Sequence, residues 1–242
     1  LGRLFIMFIS YLCMMIFSVS ATIFPFNGHT TTSVADSYTI LAFPSKYVFY
    51  VVALIYISIL YWFYKQWQLV RKQNMTFSFA QTSLFTIGMF LQMAWVYYWF
   101  DESFIISCVL IVLSALCITA FYLLMPTKNT WAARIPISLF LSWLMIVVML
   151  NIAIILVYYR WDGFGLSQPL WSVILLTGFV AIVMHIRFHH YDPYFPLVFI
   201  WVYVGIAVHN NFEELLVTTA ALFLSGVFVT GIIFMRKKVK TT

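Results

Sequence analysis

IPISLFLSWLMIVVMLNIAIILVY, from Ile135 to Tyr158, is 24 residues without one charged side chain. A helix of that length reaches about 36 Å, and about 20 mostly apolar residues already cross a bilayer. The stretch is apolar on every side. It has neither the alternation of a barrel strand nor the single stripe of a soluble surface helix. Working outward, seven more runs of this kind stand at roughly 4–24, 47–64, 79–99, 103–125, 170–187, 194–209 and 215–235. The two shortest, 170–187 and 194–209, fit steep crossings or helices partly covered by protein. The expected architecture is an all-α integral membrane protein with eight transmembrane helices.

Composition agrees. The 242 residues are 64% hydrophobic and 8% charged, against about 25% charged in soluble domains. So few charges cannot cover a water-facing surface, which excludes a soluble globular enzyme, a nucleic-acid binder and a disordered chain. The net charge of +6 does not revive nucleic acid as a partner, because the basic residues sit at the ends of apolar runs rather than along one face. Cys13, Cys108 and Cys117 all lie within apolar runs and read as small buried hydrophobes, not as a disulfide framework or metal site. Arg3 and the Ser18-Val19-Ser20-Ala21 stretch resemble a signal peptide and its cleavage site. The apolar stretch between them is long for a signal, so it is read as the first span.

Lysine and arginine set the orientation. With the N-terminus in the cytoplasm, that side collects Arg3, Lys65, Arg71, Lys72, Lys128, Arg134, Arg187, Arg236, Lys237, Lys238 and Lys240. The outer side keeps Lys46 and Arg160. The expectation is a multi-pass protein of the cell (inner) membrane with both termini cytoplasmic. No internal repeat is visible.

The span interiors are read as free of Asp, Glu, Lys and Arg, which argues against a pump, an ion-coupled transporter or a charged filter. Zinc-protease, phosphate-loop and Ser-His-Asp patterns are absent. Trp62, Trp67, Trp131, Trp95, Trp99, Trp161 and Trp171 are placed in interfacial belts. Trp143 and Trp201 fall near span centres, where an indole N–H needs a partner. Gln92 and Asn151 read either as helix–helix glue or as polar contacts in an apolar ligand pocket.

Several stretches together carry a family resemblance. They are Phe43-Pro44-Ser45-Lys46-Tyr47-Val48-Phe49 with Ile55-Tyr56, Gln92-Met93-Ala94-Trp95 with Trp99-Phe100, and Arg134, Pro136, Trp143 and Asn151 in the fifth span. In order and spacing they resemble the TspO (translocator protein, tryptophan-rich sensory protein) family. The resemblance covers residues 4–158 as a five-helix region, so 1–158 is read as the TspO-like part. Residues 159–242 are read as three additional helices in the same bundle, resembling the longer, eight-helix branch. Val96, Val52 and Ala53 depart from the short members.

The resemblance implies an apolar cleft under the first outer loop. Tyr47, Phe49 and Tyr56 form one expected wall, Gln92 and Trp99 another, and Trp143 with Asn151 a third. The loop is read as a lid carrying Pro25, Phe26 and His29. The function expected is a receptor or carrier for a hydrophobic ligand, porphyrin- or sterol-like, with haem-like molecules as candidate cofactor and no metal ligands assigned.

Two alternatives stand beside it. One is Trp-dependent porphyrin breakdown, implied by the resemblance, with Trp143 and Trp99 as candidates. The other is a structural or regulatory membrane subunit, in which Ala221 and Ser225 allow close helix approach within a homodimer or inside the bundle. The His189-His190-Tyr191-Asp192 segment is read as a solvated cytoplasmic loop rather than a metal site. The partners expected are the lipid bilayer and a hydrophobic small molecule.

Overall fold

The computed structural model describes residues 1–24, 38–72, 76–126, 130–211 and 213–235. Among these there are eight α-helices and no strand: α1 Gly2–Ile23, α2 Val51–Arg71, α3 Phe79–Phe100, α4 Phe104–Leu123, α5 Ile135–Tyr158, α6 Gln168–His190, α7 Phe195–Asn210 and α8 Leu215–Phe234. A 3-10 turn, Lys46–Tyr50, leads into α2, and a second, Gly163–Gly165, lies between α5 and α6. Seven helices are long and apolar enough to cross a membrane. The other, α7, has 16 residues, about 24 Å of rise. It is sheathed by the protein on most sides, with Phe195, Phe199, Val202, Tyr203 and Ile206 wholly buried. The perimeter of the bundle is apolar, with Phe5, Ile16, Leu54, Phe90, Leu116 and Phe223 all exposed. A surface of that kind belongs in lipid.

α5 is the hub, because the run apolar on every side is the run with protein on every side. Seventeen of its 24 residues are buried. It packs against α2, α4, α6 and α7. The first five helices close a ring in the order α1, α2, α5, α4, α3. Helices α6, α7 and α8 pack on one another, and α6 and α7 also pack on α5. Pro136, Pro169 and Pro196 each sit in the first turn of a helix, where a missing N–H is harmless.

Apolar surface does not distinguish a neighbouring helix from lipid, so neutral polar groups and small residues do more of the sorting. Tyr11 Oη on α1 donates to the Tyr56 carbonyl of α2 at 2.9 Å. Ser114 Oγ on α4 donates to the Gly88 carbonyl of α3 at 2.9 Å. Ser142 Oγ on α5 donates to the Phe195 carbonyl at the start of α7 at 2.7 Å, and Tyr203 Oη on α7 donates to the Leu176 carbonyl of α6 at 2.8 Å. Ala221 and Ser225 are buried within the single chain, where α8 packs on α6 and α7. Their small side chains serve internal packing.

One end of the bundle gathers both described termini. Arg3 Nη1 donates to the Phe77 carbonyl at the start of α3, and Arg187 Nη2 donates to the Ile232 and Met235 carbonyls at the end of α8. Several sequence expectations need correction here. The second helix runs on to Arg71, with Lys65 Nζ 5.4 Å from the Tyr61 ring and the Arg71 guanidinium 5.4 Å from the Trp67 ring. The long cationic side chains fold back along aromatic faces, so the helix outlasts its apolar run. The sixth helix continues through His189 and His190, which are therefore helical rather than loop residues, and Arg187 is buried in its last turn.

Arg134 and Asp192 are not solvated topology charges either. Each is under 3% exposed. The Arg134 guanidinium lies 4.0 Å from the Tyr122 ring centre, while Tyr122 Oη donates to Asp192 Oδ2 at 2.7 Å. Asp192 Oδ1 accepts from the Tyr194 backbone N–H at 2.9 Å, tying the entry of α7 to α4. Cys13 is exposed on the perimeter and Cys108 and Cys117 are half-buried, so the cysteines are not core residues.

Candidate functional site

The ring of α1 to α5 is filled at one end and hollow at the other. At the end shared with the termini, Trp62, Phe63, Phe85 and Phe121 interlock, with the Phe85 and Phe121 rings 5.2 Å apart and Trp62 and Phe63 4.9 Å apart. Trp62 is fully buried, and its Nε1 donates to the Ala133 carbonyl at 2.9 Å. It is therefore a core residue rather than a belt residue, and the N–H is satisfied by a backbone carbonyl.

Beyond this cluster the ring opens into a cavity of about 530 Å3. Four of the five ring helices give one face each at helical spacing, and α4 gives none. Phe49 from the 3-10 turn and Val52, Ala53 and Tyr56 from the start of α2 form one side, and Gln92, Trp95, Val96 and Trp99 come from α3. Trp143, Val147, Leu150 and Asn151 come from α5, and Ser18, Val19, Thr22 and Ile23 from α1. Steps of three and four residues bring these side chains onto one face of their helix. The remaining wall is the chain between α1 and α2, with Tyr38, Thr39, Ile40, Phe43, Pro44 and Lys46, and His209 stands at the rim.

Six of the seven residues expected to form the walls line this cavity: Phe49, Tyr56, Gln92, Trp99, Trp143 and Asn151. Tyr47 does not. It turns toward α7 and meets Trp201 edge-on at 5.5 Å. Pro25, Phe26 and His29 lie outside the described residues. Trp95 and Trp99, expected in a belt, face the cavity with ring centres 5.9 Å apart. Phe49 and Trp143 meet edge-on at 5.9 Å. Trp201 is partly exposed and donates through Nε1 to the Val48 carbonyl at 3.2 Å.

The two polar residues divide the readings left open by the sequence. Asn151 is glue: its Oδ1 accepts from Ser107 Oγ at 2.9 Å and Trp95 Nε1 at 3.2 Å, and its Nδ2 donates to the Val147 carbonyl at 2.8 Å. It knits α3, α4 and α5 together within the cavity wall. Gln92 is 2% exposed, and its Oε1 is buried without a hydrogen-bond partner. A buried carbonyl oxygen with nothing to accept from costs about 1–3 kcal/mol. Gln92 lines the hollow, so a rotation of its amide would offer this oxygen to a guest's N–H or O–H.

At the rim, Tyr38 Oη donates to Glu102 Oε2 at 3.2 Å. Burial, and then the Glu102 carboxylate, push the Tyr38 phenol above its usual range. Among the described residues no group of three or more His, Cys, Asp or Glu is placed to hold a metal ion.

Several of the residues missed by sequence reasoning were within its reach. Trp95 and Val96 follow from Gln92 and Trp99 by helical spacing, as Val147 and Leu150 follow from Trp143 and Asn151. Lys46 and His209 could not be placed, because nothing in the sequence says that the turn before α2 and the end of α7 meet.

A ring of five helices with an aromatic, largely apolar hollow at one end defines a membrane protein built around a small-molecule-sized cavity. A family model described as TSPO-like protein matches residues 4–234, and the chain belongs to that family. The match runs past Tyr158 through α6, α7 and α8, so the family pattern takes in both parts of the bundle. No match was found among curated proteins or among solved structures.

Proposed function

We propose that this protein is a membrane receptor or carrier that binds a hydrophobic ligand, porphyrin- or sterol-like, in the cavity enclosed by α1 to α5. The observation that carries this reading is a hollow of about 530 Å3 lined by Trp95, Trp99 and Trp143, with Gln92, whose Oε1 is buried and unpartnered, in its wall. Ligand sites of roughly 300–1,000 Å3 are apolar with a few placed polar groups, and this wall fits that description. The ligand class has flat or fused-ring apolar surface to lie against the indoles and one hydrogen-bond donor to meet Gln92. Orientation follows the lysine and arginine count, with both termini cytoplasmic and the cavity in the outer half of the membrane. All eight helices then cross the membrane, α7 as a short span sheathed by its neighbours.

The test is a titration of the detergent-purified protein with protoporphyrin IX, and separately with a fluorescent sterol, following tryptophan emission. Saturable quenching that weakens in Gln92→Leu and in Trp143→Ala is expected. No quenching up to about 50 µM of either probe, equivalent to binding weaker than about −6 kcal/mol, would leave the cavity without this role.

A further inference from the structure

The wall between Tyr38 and Tyr50 faces the cavity on one side and α6 and α7 on the other. Its ties to the far side are regular. Gln168 Nε2, at the start of α6, donates to the Thr39 carbonyl at 2.9 Å. Asn210 Nδ2, at the end of α7, donates to the Leu41 carbonyl at 2.9 Å. The Ser45 backbone N–H donates to the Gly205 carbonyl of α7 at 3.1 Å. Trp201 Nε1, one turn earlier on α7, donates to the Val48 carbonyl at 3.2 Å. Four bonds spaced along ten residues hold an irregular segment in one shape, and none of their donors or acceptors on α6 and α7 is a cavity-lining residue.

Gly205 sets the distance. A Cβ built on it would lie 2.1 Å from Val48 Cγ2 and 3.3 Å from Pro44 Cβ. Val48 is fully buried, so it has no free space to retreat into. Pro44 and Phe49, on either side of it in the chain, are both cavity residues.

We propose that α6 and α7 act as a template for the cavity, with Gly205, Trp201 and Asn210 as positioning residues that determine ligand affinity without touching the ligand. This rests on the cavity-binding reading above. It gives α6 and α7 a role: they replace mobility in one wall of the site with a fixed surface, and preorganisation of that kind appears as affinity. A side chain added at position 205 pushes Val48 and Pro44 toward the hollow and narrows it.

The experiment pairs a lesion with its compensation. Gly205→Ala is compared with the Gly205→Ala, Val48→Ala double variant, which removes the Cγ2 atom that the new methyl meets. Two quantities are read: the protoporphyrin IX dissociation constant by tryptophan quenching, and hydrogen–deuterium exchange of peptides covering 38–50 in ligand-free protein. Gly205→Ala is expected to weaken binding roughly 2- to 30-fold, the range in which non-contacting residues modulate a site, and to speed exchange of the wall. The double variant is expected to restore both.

Should Gly205→Ala fail to give a monodisperse protein, Trp201→Phe removes the indole N–H that the Val48 carbonyl accepts, keeps an aromatic ring beside Tyr47, and reads out the same two quantities. Wall exchange unchanged in the single variants, or affinity lost in Gly205→Ala and not recovered on adding Val48→Ala, overturns the proposal. If the unsubstituted protein ignores porphyrin, the ligand reading fails on its own. The ligand-free exchange still decides whether α7 holds the wall.

Discussion

Replacing Asn151 by Leu tests whether a polar knot, rather than shape alone, holds α3 and α4 against the central helix. The two side chains share their heavy-atom count and branch point, so the change removes hydrogen bonds while keeping a similar outline. Two interhelical bonds disappear, from Ser107 Oγ at 2.9 Å and Trp95 Nε1 at 3.2 Å. Interhelical hydrogen bonds in membrane proteins average about 0.6 kcal/mol each, which gives roughly 1.2 kcal/mol for the pair. Ser107 is fully buried, so its hydroxyl also loses its acceptor, which raises the upper end to about 3 kcal/mol. The cost is therefore expected at about 1–3 kcal/mol.

The assay is reversible unfolding in mixed micelles of rising dodecyl sulfate fraction. Unfolding of Asn151→Leu, Ser107→Ala and the double variant gives a coupling energy. The expected coupling for the Ser107 pair is about 0.6 kcal/mol. A cost for Asn151→Leu below about 0.3 kcal/mol, within the scatter of neutral substitutions, would refute the knot.

The remaining predictions concern the filled end of the ring, the rim and the orientation. Trp62→Ala is expected to destabilise the bundle by about 3–5 kcal/mol, because it empties a fully buried indole site and orphans the Ala133 carbonyl; the same unfolding titration measures it. At the rim, the neutral Tyr38 phenol is the favoured form in the fold. Its contribution to stability is complete below the ordinary tyrosine value of 10.0 and is lost as pH rises through the raised folded value. The phenolate absorbance difference between the protein and its Tyr38→Phe variant should have a midpoint above 10.0, and Glu102→Gln should bring it down; a midpoint that ignores Glu102 would discard the contact. Single cysteines introduced at Lys65 and Trp131 in a cysteine-free background should react with an impermeant maleimide only from the cytoplasmic side, and those at Lys46 and Arg160 only from outside. The reverse pattern would invert the proposed orientation.

Much of the fold was legible because lipid imposes length and apolarity, and both can be read along one chain. The run from Ile135 to Tyr158 gave the central helix with its bounds unchanged. The other seven runs each correspond to one helix, with the ends of α2 and α6 underestimated where cations fold back onto the helix. The packing was less legible. Mean apolarity says nothing about which side of a helix meets lipid and which meets protein, so Trp62 reads as a belt residue although it is fully buried. Arg134 and Asp192 were read as surface charges because their shared partner, Tyr122, is distant in sequence from Asp192. The family resemblance brought Gln92, Trp143 and Asn151 to attention, while the spacing along their helices holds the rest of those faces. Tyr47 was misplaced because a 3-10 turn, not an α-helix, carries it, and the rotation per residue differs.

The interlocked rings of Trp62, Phe63, Phe85 and Phe121 make the hollow a cul-de-sac. A molecule that enters from the loop end reaches a stopper of close-packed aromatics and must leave by the door it came in, unless several of those rings swing aside together. Such a concerted rearrangement in a tightly packed interior is rare on the timescale of ordinary side-chain motion. The geometry therefore suits a berth for a guest, whose occupancy tracks the guest's abundance on one face of the bilayer, better than a conduit between the two.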